Sequence, residues 1–305
     1  MTAVIDLFAG LGGWTEAAVS LGCDVRLAAN HWPSAVAWHA RNHPGVEHWT
    51  QDLRQANWTR VPRHDVLLAS PSCQGHSRAR GKDRPHHDDA RSTAWAVVDC
   101  AEVHRPPLVV VENVAEMREW ELYPVWRLAL ERLGYHLREF VTDAADHGVP
   151  QNRVRLFVVA SRRGVVAGDL PKRAPVPLSA VADFAAGTWA QVDRPGRSAA
   201  TLARVAAGRR QHGERFAVSY YGSTSGGRSL ARPVGTLTTR ARWALIDDER
   251  MRMLSVQEAR ACMGFRRDLL LPDDTKLANH LLGNAVAPPQ AADVLALALQ
   301  HLDAA

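Results

Sequence analysis

Through residues 1–160, short wholly apolar segments recur between longer stretches patterned for helix. The β-prone segments are Ala3–Phe8, Val25–Ala29, Val66–Ala69, Leu108–Glu112 and Leu156–Ala160. Helix-like segments fall between them at Gly13–Leu21, Ser34–Asn42, Ala94–Val103 and Val125–Leu133. A short strand that is apolar on both faces has to be covered from both sides. Helices alternating with such strands do this around a parallel sheet. The fold expected is therefore α/β, a doubly wound and mostly parallel sheet.

That rhythm stops after Arg163. Pro171, Pro175, Pro177 and Pro195, among many Gly and Arg residues, mark linkers and irregular structure. A β-prone piece at Phe216–Tyr221 leads into the loose segment GSTSGGRS. Helical patterning returns over Val256–Met263 and, after GNAVAPP, over Pro289–Leu302. The proline pair suits a helix start, where a missing N–H costs nothing. These shifts predict one domain over 1–165, completed by 246–305, and a smaller one over 166–245.

Charge separates the same regions. From Ser161 to Leu245 there are fourteen Lys/Arg against four Asp/Glu, while the whole chain carries a net charge of only +5. A basic block beside an acidic remainder suits a surface built for a polyanion, although abundant surface arginine alone would look similar. No apolar run approaches the roughly 20 residues that span a bilayer. The opening MTAVIDLFAG lacks the basic region and cleavage site of a secretory signal, so a cytoplasmic protein is expected. Four cysteines, Cys23, Cys73, Cys100 and Cys262, form no C-x-x-C pair. Neither a zinc site nor a disulfide framework is expected, which leaves room for one reactive thiol.

Several segments carry chemistry. The first strand runs into Asp6-Leu7-Phe8-Ala9-Gly10-Leu11-Gly12-Gly13, and glycines at a strand-to-helix turn let backbone approach a nucleotide-like ligand, or simply pack closely. The second strand ends at Asn30-His31-Trp32, where a polar residue can hold a ribose and an aromatic one can stack on adenine or simply pack in the core. Asp52 could reach an adenine amino group or cap the helix after it. Ser70-Pro71-Ser72-Cys73-Gln74-Gly75-His76-Ser77 follows the fourth strand, so Cys73 stands where open α/β sheets place their sites. The polar stretch Arg78 to Arg91 reads as a flap able to close over a substrate. Leu108-Val109-Val110-Val111 ends in Glu112-Asn113, a carboxylate costly to leave unpaired and able to hold or donate a proton, or else a cap. Arg153 and Arg155, in Gln151-Asn152-Arg153-Val154-Arg155, alternate onto one face as forked donors; a salt bridge to Glu112 is the plain alternative for one of them.

Taken in order, DLFAGLGG, SPSCQGHS, VVENV, QNRVR and GNAVAPP resemble the signature blocks of the C5-cytosine DNA methyltransferases, and Arg250–Phe265 is similar to the block before the last. The resemblance spans nearly the whole chain except part of 165–210. It implies a Rossmann-like methyltransferase domain with S-adenosyl-L-methionine as cofactor, held by Phe8, Gly10, Gly12, His31, Trp32, Asp52, Leu53, Asn284 and Val286, and no metal. It implies catalysis by Cys73, adding to C6 of a flipped-out cytosine, with Glu112, Arg155 and Arg153. Gln74, Ser77, Asn113, Thr236 and Thr238 would touch the substrate, and 166–245 would be the target-recognition domain. The partner implied is double-stranded DNA, with a cognate restriction endonuclease as a further candidate, and a monomer is expected.

Two positions depart from the family pattern. His31 stands where an acid usually binds the ribose hydroxyls, and Ser72 replaces the second proline before the cysteine. Three other readings stay open: a tRNA cytosine-5 methyltransferase, a DNA-binding relative without catalysis, and an altered alkyl donor.

Overall fold

The structure, a computed structural model, describes residues 1–72, 92–220 and 226–304. Cys73, Gln74 and Ser77 lie outside the described residues. The contacts divide the chain into two compact units. The first holds Met1–Asp143, Val154–Lys172 and Ala285–Ala305, and the second Ala144–Arg153 and Arg173–Asn284.

Seven strands build one sheet in the first unit: β1 (Ala3–Leu7), β2 (Asp24–Asn30), β3 (Glu47–Thr50), β4 (Val66–Ala69), β5 (Leu108–Asn113), β6 (His136–Asp143) and β7 (Val154–Ser161). Their order is β3-β2-β1-β4-β5-β7-β6. The strands from β3 to β5 pair in parallel, whereas β7 runs antiparallel to both β5 and β6. This is the doubly wound, mostly parallel α/β sheet expected.

Among the described residues the helices are α1 (Gly13–Ser20), α2 (Pro33–Asn42), α3 (Trp95–His104), α4 (Tyr123–Arg132), α5 (Ala199–His212), α6 (Val256–Cys262), α7 (Thr275–Asn284) and α8 (Pro288–Ala304). None is long and apolar enough to cross a membrane.

Alternation along the strands sorts side chains onto two cores. Ile5, Leu7, Leu67, Ala69, Val109 and Val111 pack with Cys100 of α3 and with Trp126 and Leu130 of α4. Val4, Val66, Leu68, Leu108 and Val110 take the opposite face, against Trp14 and Ala17 of α1 and Val294, Leu295 and Ala298 of α8. Each large apolar side chain fully withdrawn from water contributes about 1.5–3 kcal/mol, so the strands are anchored on both sides. At Gly13 helix α1 meets the chain just before α8, and an added Cβ would stand 2.2 Å from the carbonyl oxygen of Val286.

The second unit contains a four-stranded antiparallel sheet, β8-β11-β10-β9, from β8 (Ala190–Gln191), β9 (Arg215–Ser219), β10 (Trp243–Asp247) and β11 (Arg250–Met253). Helix α5 covers it through Val205, packed with Phe216, Ala244 and Ile246. Gly208 admits the Phe216 ring, which an added Cβ would meet at 2.2 Å. Helix α6 starts with a capping box, Ser255 with Glu258, and Glu258 also pairs with buried Arg252 at 2.7 Å. From the separate segment 144–153, Gln151 accepts from Leu237 N at 2.7 Å and donates to Cys262 O at 3.0 Å.

The domain boundary expected from composition, at 245/246, cuts through β10. Because β10 and β11 complete the small sheet, residues 246–284 pack with the second unit.

Candidate active site

The strand order reverses direction at β1 and β4, with β2 and β3 on one side and β5 on the other. Such a switch point opens a crevice at the carboxyl ends of the strands, where ligands bind in open α/β sheets. At the end of β1 the backbone turns through left-handed conformations, with φ of 61° at Phe8, 57° at Gly10 and 95° at Gly12. The glycines serve different purposes. Among the described residues, a Cβ on Gly10 would have only Phe8 O within 4 Å, at 3.8 Å, so they leave space there. One on Gly12 would strike His43 Nε2 at 2.9 Å, and Gly13 is required by the contact with Val286.

Behind this turn lies a polar group that sequence reasoning does not single out. Asp6 is fully buried in β1, and its Oδ2 accepts from the backbone N of Thr15 at 3.1 Å and from Thr15 Oγ1 at 2.8 Å. His39 Nε2 stands 3.0 Å from Thr15 Oγ1, and His39 Nδ1 is 2.8 Å from His48 Nε2. A carboxylate inside an apolar strand, followed nine residues on by a hydroxyl in the first helical turn, is the legible signal.

Burial pushes the Asp6 carboxyl up to about 7, against the two bonds from Thr15. Its folded-state pKa lies above that of the unfolded chain. The stability it contributes is therefore fully present below about pH 4 and is lost as pH rises through about 7. Asp6→Asn is expected to flatten the pH dependence of urea unfolding between these limits; an unchanged slope would reject the assignment.

The ends of β2 and β3 supply the next residues. Asn30 Oδ1 accepts from Trp32 N at 2.9 Å, which sets the start of α2; Trp32 is half-buried and His31 exposed. Asp52 caps the short 3-10 helix Leu53–Gln55, accepting from Arg54 N at 3.1 Å, and its carboxylate pairs with the Arg54 guanidinium at 2.6 Å. Those Arg54 bonds hold the Asp52 carboxyl below its ordinary value. Leu53 is buried in the core.

Hydrogen bonds fasten the chain after β4. Ser70 N donates to Leu7 O at 3.2 Å, and Ser72 N donates to Thr93 Oγ1 at 3.0 Å. Asn113 Nδ2 donates to Pro71 O at 3.1 Å, while its Oδ1 accepts from Val114 N at 2.8 Å. The residues leading to position 73 are thus tied to β1 and β5.

Glu112, at the end of β5, is buried and meets Arg155 Nε at 3.0 Å. Strand direction explains the meeting. Because β7 is antiparallel to β5, its amino end lies at the carboxyl end of β5. Phe157 is the partner of Glu112, and Arg155, two residues earlier, shares the face of Phe157. Removing one member of such a buried pair costs about 3–5 kcal/mol, since the other charge is stranded.

Arg153 precedes β7 and belongs to the second unit, and its guanidinium donates to Leu237 O at 3.2 Å and to Gly283 O at 2.9 Å. In that unit Thr236 Oγ1 donates to Asn152 O at 2.8 Å, and Thr238 Oγ1 to Arg240 O at 3.1 Å. Asn284 is exposed at the end of α7, the last residue of the second unit, whereas Val286 is buried with the first-unit core.

Three of the four cysteines are described, and all are buried. Burial raises the thiols of Cys23 and Cys100 and pushes that of Cys262 up to about 12, so each stays protonated at neutral pH.

Residues 2–184 match the model of the C-5 cytosine-specific DNA methylase family. Among characterised proteins, the chain is 34% identical over 165 residues to the type II methylase M.HgiEI of Herpetosiphon aurantiacus, covering 51% of this chain and 36% of the relative. It is 25% identical over 307 residues to the type II methyltransferase M.MspI of Moraxella sp, covering 98% of this chain and 71% of that protein. For M.HgiEI, M.HgiDII and M.HgiBI, the chain spans 36%, 53% and 36% of the relative's length. A solved structure described as Spodoptera frugiperda DNMT2 shares the fold, with a TM-score of 0.72 at 15% identity over 98% of this chain and 100% of the other.

Proposed function

The chain belongs to the C-5 cytosine-specific DNA methylase family, and from that premise we propose that it methylates carbon 5 of cytosine in duplex DNA, with S-adenosylmethionine as cofactor. One observation carries the reading: the Glu112–Arg155 pair stands at the end of β5, and the neighbouring Asn113 ties down Pro71, two residues before Cys73.

The residues at the ends of β1 to β3 fit the cofactor. Gly10 leaves room where a side chain would stand, and Trp32 and His31 keep accessible surface for an adenosyl group. Phe8, Gly10, Gly12, His31, Trp32 and Asp52 would hold it. Asp52 does so while paired with Arg54, and His31 offers a hydroxyl an imidazole hydrogen-bond partner in place of a carboxylate. Leu53 and Val286, both in the core, contribute backbone, and Asn284 a side-chain amide. S-adenosylmethionine supplies the electrophilic methyl group.

The protein's own residues prepare the base. Inside a duplex both faces of the cytosine ring are stacked on neighbouring bases, so the cytosine is flipped out, and Gln74 and Ser77 are proposed to contact it. The Cys73 thiolate adds to C6, which moves electron density onto C5 and toward N3. Glu112 holds N3 and the exocyclic amine as that charge builds, and Arg155 orients Glu112 and the base carbonyl. Once C5 is methylated, loss of its proton lets the bond to Cys73 break. Within the second unit, Arg153 braces the backbone at Leu237 and Gly283. Asn113 positions the Cys73 segment.

The arginine-rich second unit is the target-recognition part, with Thr236 and Thr238 near the phosphates. A cognate restriction endonuclease is the partner against which such methylation would protect DNA, and the enzyme acts as a monomer.

Bisulfite sequencing of DNA from cells expressing the protein tests the reading. Conversion-resistant cytosines at one recurring sequence are expected. If DNA stays fully convertible while tRNA gains 5-methylcytosine, the substrate assignment fails.

A further inference from the structure

At the opposite, amino-terminal edge of the sheet, a basin of about 500 Å³ is lined by Ala3, Arg26, Arg63, His64, Asp65, His104, Arg105, Pro106 and Pro107. It gathers the residues that open β1, β4 and β5, together with one from β2 and the end of α3. Three guanidinium groups and two imidazoles face a single concavity, against one carboxylate.

That carboxylate is already engaged, since Asp65 Oδ2 accepts from Ala3 N at 2.9 Å. Arg26 pairs with Asp24 at 2.9 Å and reaches Arg63 O at 2.7 Å, which holds the neighbouring backbone in place. Arg105 is fixed by bonds to Glu102 O at 3.0 Å and Leu133 O at 2.8 Å. The Arg63 guanidinium makes no hydrogen bond or ion pair among the described residues.

The histidines add the second observation. The rings of His64 and His104 lie 4.9 Å apart, and His104 Nε2 is engaged with Trp58 O at 2.7 Å. His64 is 8% exposed; its Nδ1 donates to Pro62 O at 2.8 Å, and its buried Nε2 has no hydrogen-bond partner among the described residues. Burial foremost, then the positive charge around His104 and Arg26, pushes the His64 imidazole down to about 4. A buried acceptor without a donor, within a ring of like charges, is costly unless something supplies both a proton to share and negative charge.

We propose that this basin binds a small, multiply charged oxyanion, a phosphate or diphosphate group free or carried on a nucleotide. Guanidinium forks match phosphate oxygens two at a time, and a protonated phosphate oxygen can donate to His64 Nε2. The volume lies in the range of small-molecule sites, and among the described lining residues only Ala3, Pro106 and Pro107 are apolar, which selects against an apolar ligand. The site stands apart from the reaction edge and does not depend on the methyltransferase reading.

Titration calorimetry of the full chain with pyrophosphate tests the proposal. Saturable binding is expected, weakened at least ~10-fold by Arg63→Glu and less by Arg63→Gln, with Arg132→Glu on α4 within about twofold of wild type. Because the Arg63 side chain makes no bond among the described residues, both variants should melt with the wild type. Absence of saturable binding, or equal weakening by the Arg63 and Arg132 reversals, would overturn it. So would an Arg63-dependent affinity for duplex DNA with none for pyrophosphate, which would make this face a polyanion contact.

Discussion

Alanine at position 73 is expected to lower methyl transfer to duplex DNA by at least about a thousandfold, while leaving thermal melting and S-adenosylmethionine binding close to wild type. The physical reason is the weak nucleophilicity of carbon 5. An aromatic pyrimidine carbon attacks a methyl donor only after a nucleophile at C6 has pushed electrons onto it, and oriented binding cannot replace that bond. No other thiol can stand in, because Cys23, Cys100 and Cys262 are buried and held protonated. Radiolabel transfer under single-turnover conditions, with calorimetry of cofactor binding, separates the chemistry from the fold. Wild-type turnover by Cys73→Ala would remove the thiol from the mechanism.

Glu112→Gln should lower kcat by roughly 10²–10⁴, with KM for DNA little changed. Glutamine keeps the length of the side chain and an oxygen for Arg155, so the 3.0 Å contact can persist while the negative charge is lost. What it removes is the carboxyl proton that can pass to N3 as negative charge develops there, since an amide N–H is not acidic enough to be transferred. Glu112→Ala should behave differently: it leaves the Arg155 guanidinium without its carboxylate in a mostly buried position and costs about 3–5 kcal/mol in stability as well. Urea unfolding of both variants beside their kinetics distinguishes the effects. Full kcat in Glu112→Gln, with stability lost only in the alanine variant, would reduce the pair to a structural role.

Much of the first unit is legible in the sequence because its strands are buried on both faces. β4 is found at the expected Val66–Ala69, and β1, β2, β5 and β7 lie within one or two residues of their expected bounds. β6 escapes sequence reasoning for the complementary reason. His136–Asp143 lies at the sheet edge, its residues half-buried or exposed, so charged and apolar side chains mix without an apolar run. Helix α5 is hidden among the Gly and Arg residues after Arg163. Its buried positions are Thr201, Val205 and Gly208, which give no apolar stripe for periodicity to reveal.

The site shows the same contrast. Glu112 and Arg155 both stand out in the sequence, and a salt bridge from Glu112 to one of the two arginines is among the readings it allows. The reversed strand that brings them together is not legible, because an apolar run reads alike in either direction. For Arg153 the sequence gives the donor but not its acceptors, since the Leu237 and Gly283 carbonyls lie far along the chain. Asp6 stays inconspicuous because its partner Thr15, and His39 beyond it, come from two different helices.

Gln151 sits in a ten-residue stretch cut off from the rest of its unit by β7 and the chain that follows, yet it holds three separate points of that unit: Leu237 N, Cys262 O and the sulfur of Met263. A unit assembled this way is not a cassette. Recombination that transplanted 173–284 from a relative would import the lock without its key, unless 144–153 travelled with it. Residues 144–153 and 173–284 therefore have to fold as one packed body, although β7 separates them in the chain.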